Sequence, residues 1–281
     1  MLPVGKLTCP TRLFVLYKRP RARSLLKQWF LAWADSRSSV AIMVTLMISS
    51  GTLGLVGGSE WSAGCSFDAE LLAASGGSDV VVLPTASAYE HPERVVMRAA
   101  DWFRELGADV EGLMVVSRKD AEDSGAADVV RRAKFIYLSG GSPLHLRSVL
   151  KGSAVFDAVV EAWHAGAVVV GSSAGAMVLT DPMVDPRGGA LTVGLAMVKN
   201  LAVVPHYGDT SEDAHGEKLH RSIVLAPRGI PVVGIPERTA LIRDPSGSWR
   251  SSGQGTVAVF VDGNRSQGGL SLLEPQAAHP Q

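Results

Sequence analysis

Val168-Val169-Val170-Gly171-Ser172-Ser173-Ala174-Gly175-Ala176-Met177 decides how the rest of the chain is read. An apolar, β-branched run ends at a glycine, a serine follows, and Met177-Val178-Leu179 can continue as a helix. This is G-x-S-x-G between a buried strand and a helix, the pattern of a nucleophile elbow. A tight strand-to-helix turn strains the backbone of its central residue and pushes that side chain into open space. The neighbours must be small, because a Cβ would clash across the turn. The helix that follows aims free N–H groups at whatever sits on the serine. Ser173 is therefore the candidate nucleophile. The alternative is a Gly/Ser/Ala-rich turn with no chemistry, since so short a motif also occurs by chance.

Upstream of this stretch, strands and helices alternate about every 25–30 residues, the spacing of βαβ units. Strands are expected at Thr52–Val56, Asp79–Leu83, Leu113–Val116, Lys134–Leu138 and Ala167–Val170. Helices are expected at Phe67–Ser75, Pro92–Leu106, Asp120–Arg132, from Pro143 onward, and at Phe156–Ala165. In the second of these, Val95, Val96, Ala99, Trp102, Phe103 and Leu106 recur at helical spacing. Asp68 and Glu70 suit the first turn of the Phe67 helix, where the helix dipole favours negative charge. The expected fold is α/β, a doubly wound, mostly parallel sheet flanked by helices, with sites at the carboxyl ends of the strands.

Downstream the texture changes. Asp181–Gly194 is loop-like, and Leu201–Val204 is a short strand ending at Pro205-His206-Tyr207. Ser211–Ala226 is polar and then helical. Ile230–Ile235, Ala240–Arg243 and Thr256–Val261 read as strands, with a hairpin turn at Gly247-Ser248. Residues 51–262 are expected to form one domain and 263–281 a loose tail.

The 281 residues are 46% hydrophobic, ample for a buried core. The 27 basic and 27 acidic residues cancel, so no global charge points to nucleic acid. They are unevenly placed. Residues 1–50 hold eight Lys/Arg and one acid, Asp35, which leaves nineteen basic and twenty-six acidic groups in the body. Three readings of this basic leader compete: an extension upstream of a true start at Met43 or Met47, a secretory signal, and a basic arm for a membrane surface or nucleic acid. The first is preferred. Cys9 and Cys65 offer neither a disulfide framework nor metal-ligand spacing, so a cytoplasmic setting is the default. No apolar run reaches the ~18 residues of a membrane span.

A serine nucleophile needs a base, and the base an orienting acid. Of the seven histidines, His91, His145 and His164 lie in or beside upstream helices, His215 and His220 in the polar segment, and His279 in the tail. His206 alone directly follows an apolar strand, at a carboxyl end, where the serine also lies. Two acids compete for the third role: Glu237, in Gly234-Ile235-Pro236-Glu237 after a strand, and Asp185, in the loop after Ser173. A charge between two buried strands is unfavourable unless paired, and a histidinium would pair Glu237. The oxyanion hole needs two N–H donors, and losing one costs ~2.7–4 kcal/mol of barrier. The N–H of Ala174 is one candidate. Gly140-Gly141, after the Lys134–Leu138 strand, is the other, because glycine lets the backbone approach closely.

Five stretches in order, Gly51 to Glu60 with its Gly57-Gly58-Ser59-Glu60, Tyr137 to Gly141, Gly171 to Ala176, Val204-Pro205-His206 and Gly234 to Glu237, resemble the dipeptidase E and cyanophycinase family of serine peptidases. The resemblance covers about residues 51–262 and implies a flavodoxin-like fold similar to class I glutamine amidotransferases, with serine in the cysteine's place. It implies Ser173 as nucleophile, His206 as base, Gly140 and Ala174 as the oxyanion hole, and either Glu237 or Asp185 as the acid, with Glu237 preferred. Family members cleave after an aspartyl residue, in Asp-X dipeptides or β-aspartyl-arginine links. They carry Asn or Gln after the glycine pair, where this chain has Ser142-Pro143, so Gly141 and Ser142 are expected to shape the substrate pocket. The expected partners are a small peptide and at most a second copy of the chain, with no nucleic acid and no membrane. No cofactor or metal is expected.

Two other classes share the central pattern. An α/β-hydrolase esterase has the same elbow, but its His-Gly-Gly oxyanion motif is missing. A non-catalytic binding module on the same scaffold would not need the Ser/His/acid set. A metal enzyme would have to use Asp209, Asp213, His215 and His220, whose spacing does not place the two histidines on one helix face.

Overall fold

The computed structural model describes residues 50–208 and 220–274. The basic leader up to residue 49, Asp209, Asp213, His215 and the end of the tail with His279 lie outside the described residues.

Five short strands, β1 (Leu53–Val56), β2 (Asp79–Leu83), β3 (Asp109–Gly112), β4 (Phe135–Leu138) and β5 (Val168–Ser172), pair in parallel. Between them run α1 (Phe67–Ser75), α2 (Pro92–Glu105), α3 (Arg118–Ala121), α4 (Ser124–Arg132), α5 (Pro143–Leu150) and α6 (Ala154–His164). After β5 comes α7 (Ala174–Leu179). Two-residue strands β6 (Thr180–Asp181), β7 (Met183–Val184), β8 (Leu191–Thr192) and β9 (Val198–Lys199) then form two small ladders, β6 with β9 and β7 with β8. β10 (Ala202–Val204) and β11 (Val232–Gly234) begin a second sheet. β12 (Thr239–Arg243) and β13 (Trp249–Gly253) return to the first, antiparallel, and β14 (Ala258–Val261) and β15 (Asn264–Arg265) complete the second. The first sheet has the order β13-β12-β1-β5-β4-β2-β3 and the second β10-β11-β14-β15.

The inner strands β1, β5, β4 and β2 are buried on both faces, which is why they read as apolar runs rather than as alternation. Side chains still divide by the period of two. Leu53, Leu55, Val81, Leu83, Ile136, Leu138 and Val169 join the core on one face, under α4 to α6. Val56, Val80, Val82, Phe135, Tyr137, Val168 and Val170 join Phe67, Leu71 and Phe103 of α1 and α2 on the other. Each fully buried aliphatic or aromatic side chain contributes about 1.5–3 kcal/mol of transfer free energy.

Several expectations change; the stretch Asp181–Gly194, expected as loop, carries β7, β8 and the end of β6, and the tail expected to be loose from residue 263 carries β15. The third strand is Asp109–Gly112, not Leu113–Val116. It is an edge strand with Asp109 and Glu111 exposed, so its own residues are polar, and the apolar run that follows leaves the sheet with Val115 buried in the core. Asp120–Arg132 is two helices, because Ser117 and Asp120 close a capping box on α3 and Asp123 caps α4 by accepting from Ala126 N–H at 2.8 Å. Ile230–Ile235 pairs with Leu201–Val204 on one side and Thr256–Val261 on the other in a separate sheet, which period and length alone do not distinguish from a continuation of the first.

Asp68, a first-turn acid by sequence, is fully buried beneath the sheet. Trp102 Nε1–H donates to its Oδ2 at 3.0 Å. Burial pushes the carboxyl up to about 8, against the hydrogen bond from Trp102. The folded state therefore holds a proton that the unfolded chain releases near its ordinary acidic value. The associated stability is complete below that value and is lost as pH rises through about 8. In urea melts between pH 5 and pH 8, wild type should weaken relative to Asp68→Asn by up to about 1.4 kcal/mol per pH unit. A pH-independent gap between the two would mean that Asp68 titrates normally.

Candidate active site

Ser173 sits at the turn between β5 and α7 with φ 49° and ψ −106°, a conformation that L-residues other than glycine rarely adopt. Its N–H donates to Val56 O at 2.9 Å, which ties the turn to the end of β1. The flanking glycines are sterically required. A Cβ on Gly171 would lie 2.5 Å from the Gly175 carbonyl carbon, and one on Gly175 would lie 2.4 Å from Leu138 O. Ala174 is the first residue of α7, so its N–H has no intrahelical acceptor.

The second sheet supplies the partners. In β10 and β11, which run parallel, Val204 is opposite Gly234. His206, two residues past the one, therefore emerges beside Glu237, three residues past the other. His206 Nδ1 lies 2.9 Å from Glu237 Oε1, and His206 Nε2 lies 2.8 Å from Ser173 Oγ. A carboxylate only accepts, so Nδ1 carries the hydrogen and Nε2 is left to accept from the serine hydroxyl. Ser59 Oγ–H donates to the other oxygen of Glu237. That bond, then the histidine, hold the Glu237 carboxyl below the usual carboxylate range. The imidazole rests on Gly58, where a Cβ would come 2.4 Å from His206 Cε1.

Glu60, Arg98, Gly140, Gly141, Ser173 and His206 line one cleft of about 350 Å³. The glycine pair is clamped by the turn at Thr85–Ser87: Ser87 Oγ–H donates to Gly140 O at 2.9 Å, and Ser142 N–H donates to Ala86 O at 2.7 Å. Gly141, with φ 136°, has Ala86 O where a Cβ would stand, 2.4 Å away. Gly140 N–H, expected to be free, donates to Glu60 Oε1 at 3.2 Å.

The other singled-out residues lie elsewhere. Asp185 is not brought to the imidazole, because Arg187 holds its carboxylate through Nε and Nη2 at 3.0 and 2.7 Å and keeps its pKa low. Ser142 caps α5, with its Oγ accepting from His145 N–H at 3.3 Å. His145 Nε2 contacts Val116 O at 2.9 Å, and His91, His164 and His220 are exposed. Cys65 is buried, and burial pushes its thiol up, away from the thiolate form. Among the described residues no helix is long and apolar enough to cross a membrane.

Sequence reasoning places Ser59 and Glu60 in a stretch shared with the family but gives neither of them a role, nor Ser172 or the arginines of α2. An acid a few residues past a buried strand, the pattern that singles out Glu237, is the signal that could have found Glu60.

A model of peptidase family S51 matches residues 46–247, well over half of the chain. The chain belongs to peptidase family S51. It is 28% identical over 196 residues to a cyanophycinase of Synechococcus elongatus, covering 66% of this chain and 60% of that one. A cyanophycinase of Geminocystis herdmanii is 26% identical over 222 residues, covering 73% of this chain and 79% of its own length. The crystal structure of a peptidase from an acI-B1 Actinobacterium superposes with a TM-score of 0.69 at 26% identity, covering 78% of this chain and 94% of that one. The chain thus spans less than two thirds of the first of these relatives. This S51 member has the α/β architecture expected from its strand pattern.

The contact between Gly58 and the imidazole is open to test. Gly58→Ala puts a methyl group into the His206 ring at a backbone φ of 134°, so the ring must move. Activity is expected to fall at least ~100-fold, because a displacement near 1 Å of a reacting group has that effect. Unchanged turnover in the folded variant would show that the ring does not need this seat.

Proposed function

We propose that this S51 member is a serine peptidase that cleaves small peptides or isopeptides through an acyl-enzyme. Ser173 is the nucleophile, His206 the general base and acid, and Glu237 the group that orients the imidazole. The observation carrying this reading is the unbroken chain from Ser173 Oγ through both ring nitrogens of His206 to Glu237, opening on a cleft.

Ser173 Oγ attacks the scissile carbonyl carbon while its proton passes to His206 Nε2. The positive charge this creates on the ring is stabilised by Glu237. The oxyanion is received by Ala174 N–H and by Gly140 N–H once the latter leaves Glu60 Oε1. As the C–N bond breaks, His206 returns the proton to the leaving amine. Water then adds to the ester, giving a proton to His206, and the proton returns to Ser173 as the new carboxylic acid departs.

An aspartyl-type acyl residue suits the cleft, whose lining includes the guanidinium groups of Arg94 and Arg98. Gly141 lines the same cleft, and Ser142 follows it as the cap of α5. The cyanophycinases among its relatives extend the candidates from α-peptides to isopeptides. A cytoplasmic site of action accords with a chain of two cysteines, one of them a buried free thiol.

A fluorophosphonate should label wild type and leave Ser173→Ala unlabelled; equal labelling of both would remove Ser173 from the reaction. The third residue is read from two variants. Glu237→Gln should lower kcat by about 10⁴, as loss of the orienting carboxylate does in such triads, whereas Asp185→Asn should stay near wild type. The opposite ranking would give the role to Asp185.

A further inference from the structure

Glu60 is a nearly buried carboxylate, 9% exposed, at the edge of the reacting centre. Gly140 N–H donates to its Oε1 at 3.2 Å, and Ser172 Oγ–H donates to its Oε2 at 2.7 Å. A Cβ on Gly140 would lie 3.2 Å from Glu60 Oε1 and 3.4 Å from Ser173 Cβ, so the carboxylate and the nucleophile flank the same glycine. Both donors to Glu60 are neutral. The guanidinium of Arg98 stops 3.9 Å from Oε1, mostly exposed, with its carbon 5.7 Å from the centre of the Trp61 ring. Glu60 thus has two neutral donors and one distant, mostly exposed cation, and lies across Gly140 from the nucleophile.

Two negative charges side by side in a site of low dielectric oppose the reaction. A cation carried by the substrate reverses that. In an α-aminoacyl group the nitrogen is bonded to the carbon next to the scissile carbonyl, which places it about 3 Å from the carbonyl oxygen. With that oxygen at the Gly140 N–H, the nitrogen comes within reach of Glu60 Oε1.

We propose that Glu60 is the acceptor for the free α-ammonium group of the substrate. The cleft would then select the first residue of a peptide over an internal one, and the pairing would release the Gly140 N–H to the scissile carbonyl. The proposal rests on the serine peptidase reading. It adds a specificity-determining residue. Glu60→Gln keeps the length of the side chain and an acceptor oxygen but removes the charge.

The test uses the full chain and pairs of amino-acid p-nitroanilides, each with a free or an acetylated amine, including the aspartyl pair. Active sites are counted by fluorophosphonate labelling of Ser173. Wild type should favour the free amine at least ~100-fold in kcat/KM. Glu60→Gln should reduce that ratio below ~10. Glu60→Asp, which keeps the charge, should restore part of the preference. Because each ratio is taken on one preparation, a partly folded sample does not alter it. A parallel loss on both substrates would make Glu60 a positioning residue only and overturn the proposal. So would a wild type indifferent to acetylation, or one that labels at Ser173 but turns over no free-amine substrate. Failure of Ser173 to label would remove the hydrolase reading itself, and the proposal with it.

Discussion

Three consecutive carbonyls at the end of β1 hold the candidate site together. Val56 O accepts from Ser173 N–H, Gly57 O from His206 N–H and Gly58 O from Arg238 N–H, each at 2.9 Å. Three segments far apart in sequence are thereby set at successive rungs of one backbone. The next two residues continue inward with side chains, Ser59 to Glu237 and Glu60 to Gly140 and Ser172. Five adjacent residues thus touch every part of the site. The glycines in this run follow from crowding: a Cβ on Gly57 would meet Pro236 O at 2.0 Å.

Much of this was legible in the chain because strand ends are legible. A β-branched run closed by glycine or proline marks where a parallel strand stops, and polar residues immediately beyond it sit at the carboxyl edge of a sheet. That rule singles out Ser173, His206 and Glu237, which the structure brings within hydrogen-bond reach of one another. Asp185, the competing acid in the loop after Ser173, has its carboxylate taken by Arg187 two residues later, a local pairing that sequence spacing does not decide. Glu60 escaped because its partners are a backbone N–H and a serine hydroxyl, groups with no distinctive sequence signal. The edge strand β3 escaped because exposure makes it polar, and the apolar run that drew attention belongs to the segment leaving the sheet.

The same limit applies to Asp68. Acids in a first helical turn are normally solvated, and only the packing of α1 and α2 against the sheet puts this one in the dark beside Trp102. Patterning tells which residues are polar; three-dimensional neighbours tell which of them keep their charge.

The candidate site straddles two sheets. Ser173 and Gly140 hang from the larger one, and His206 and Glu237 from the smaller. No strand is shared between them, so the imidazole reaches the serine only while the seam between the sheets stays closed. On the reading proposed above, catalysis gauges that seam more finely than any signal averaged over the strands. A slight slippage that left both cores dry would already separate donor from acceptor.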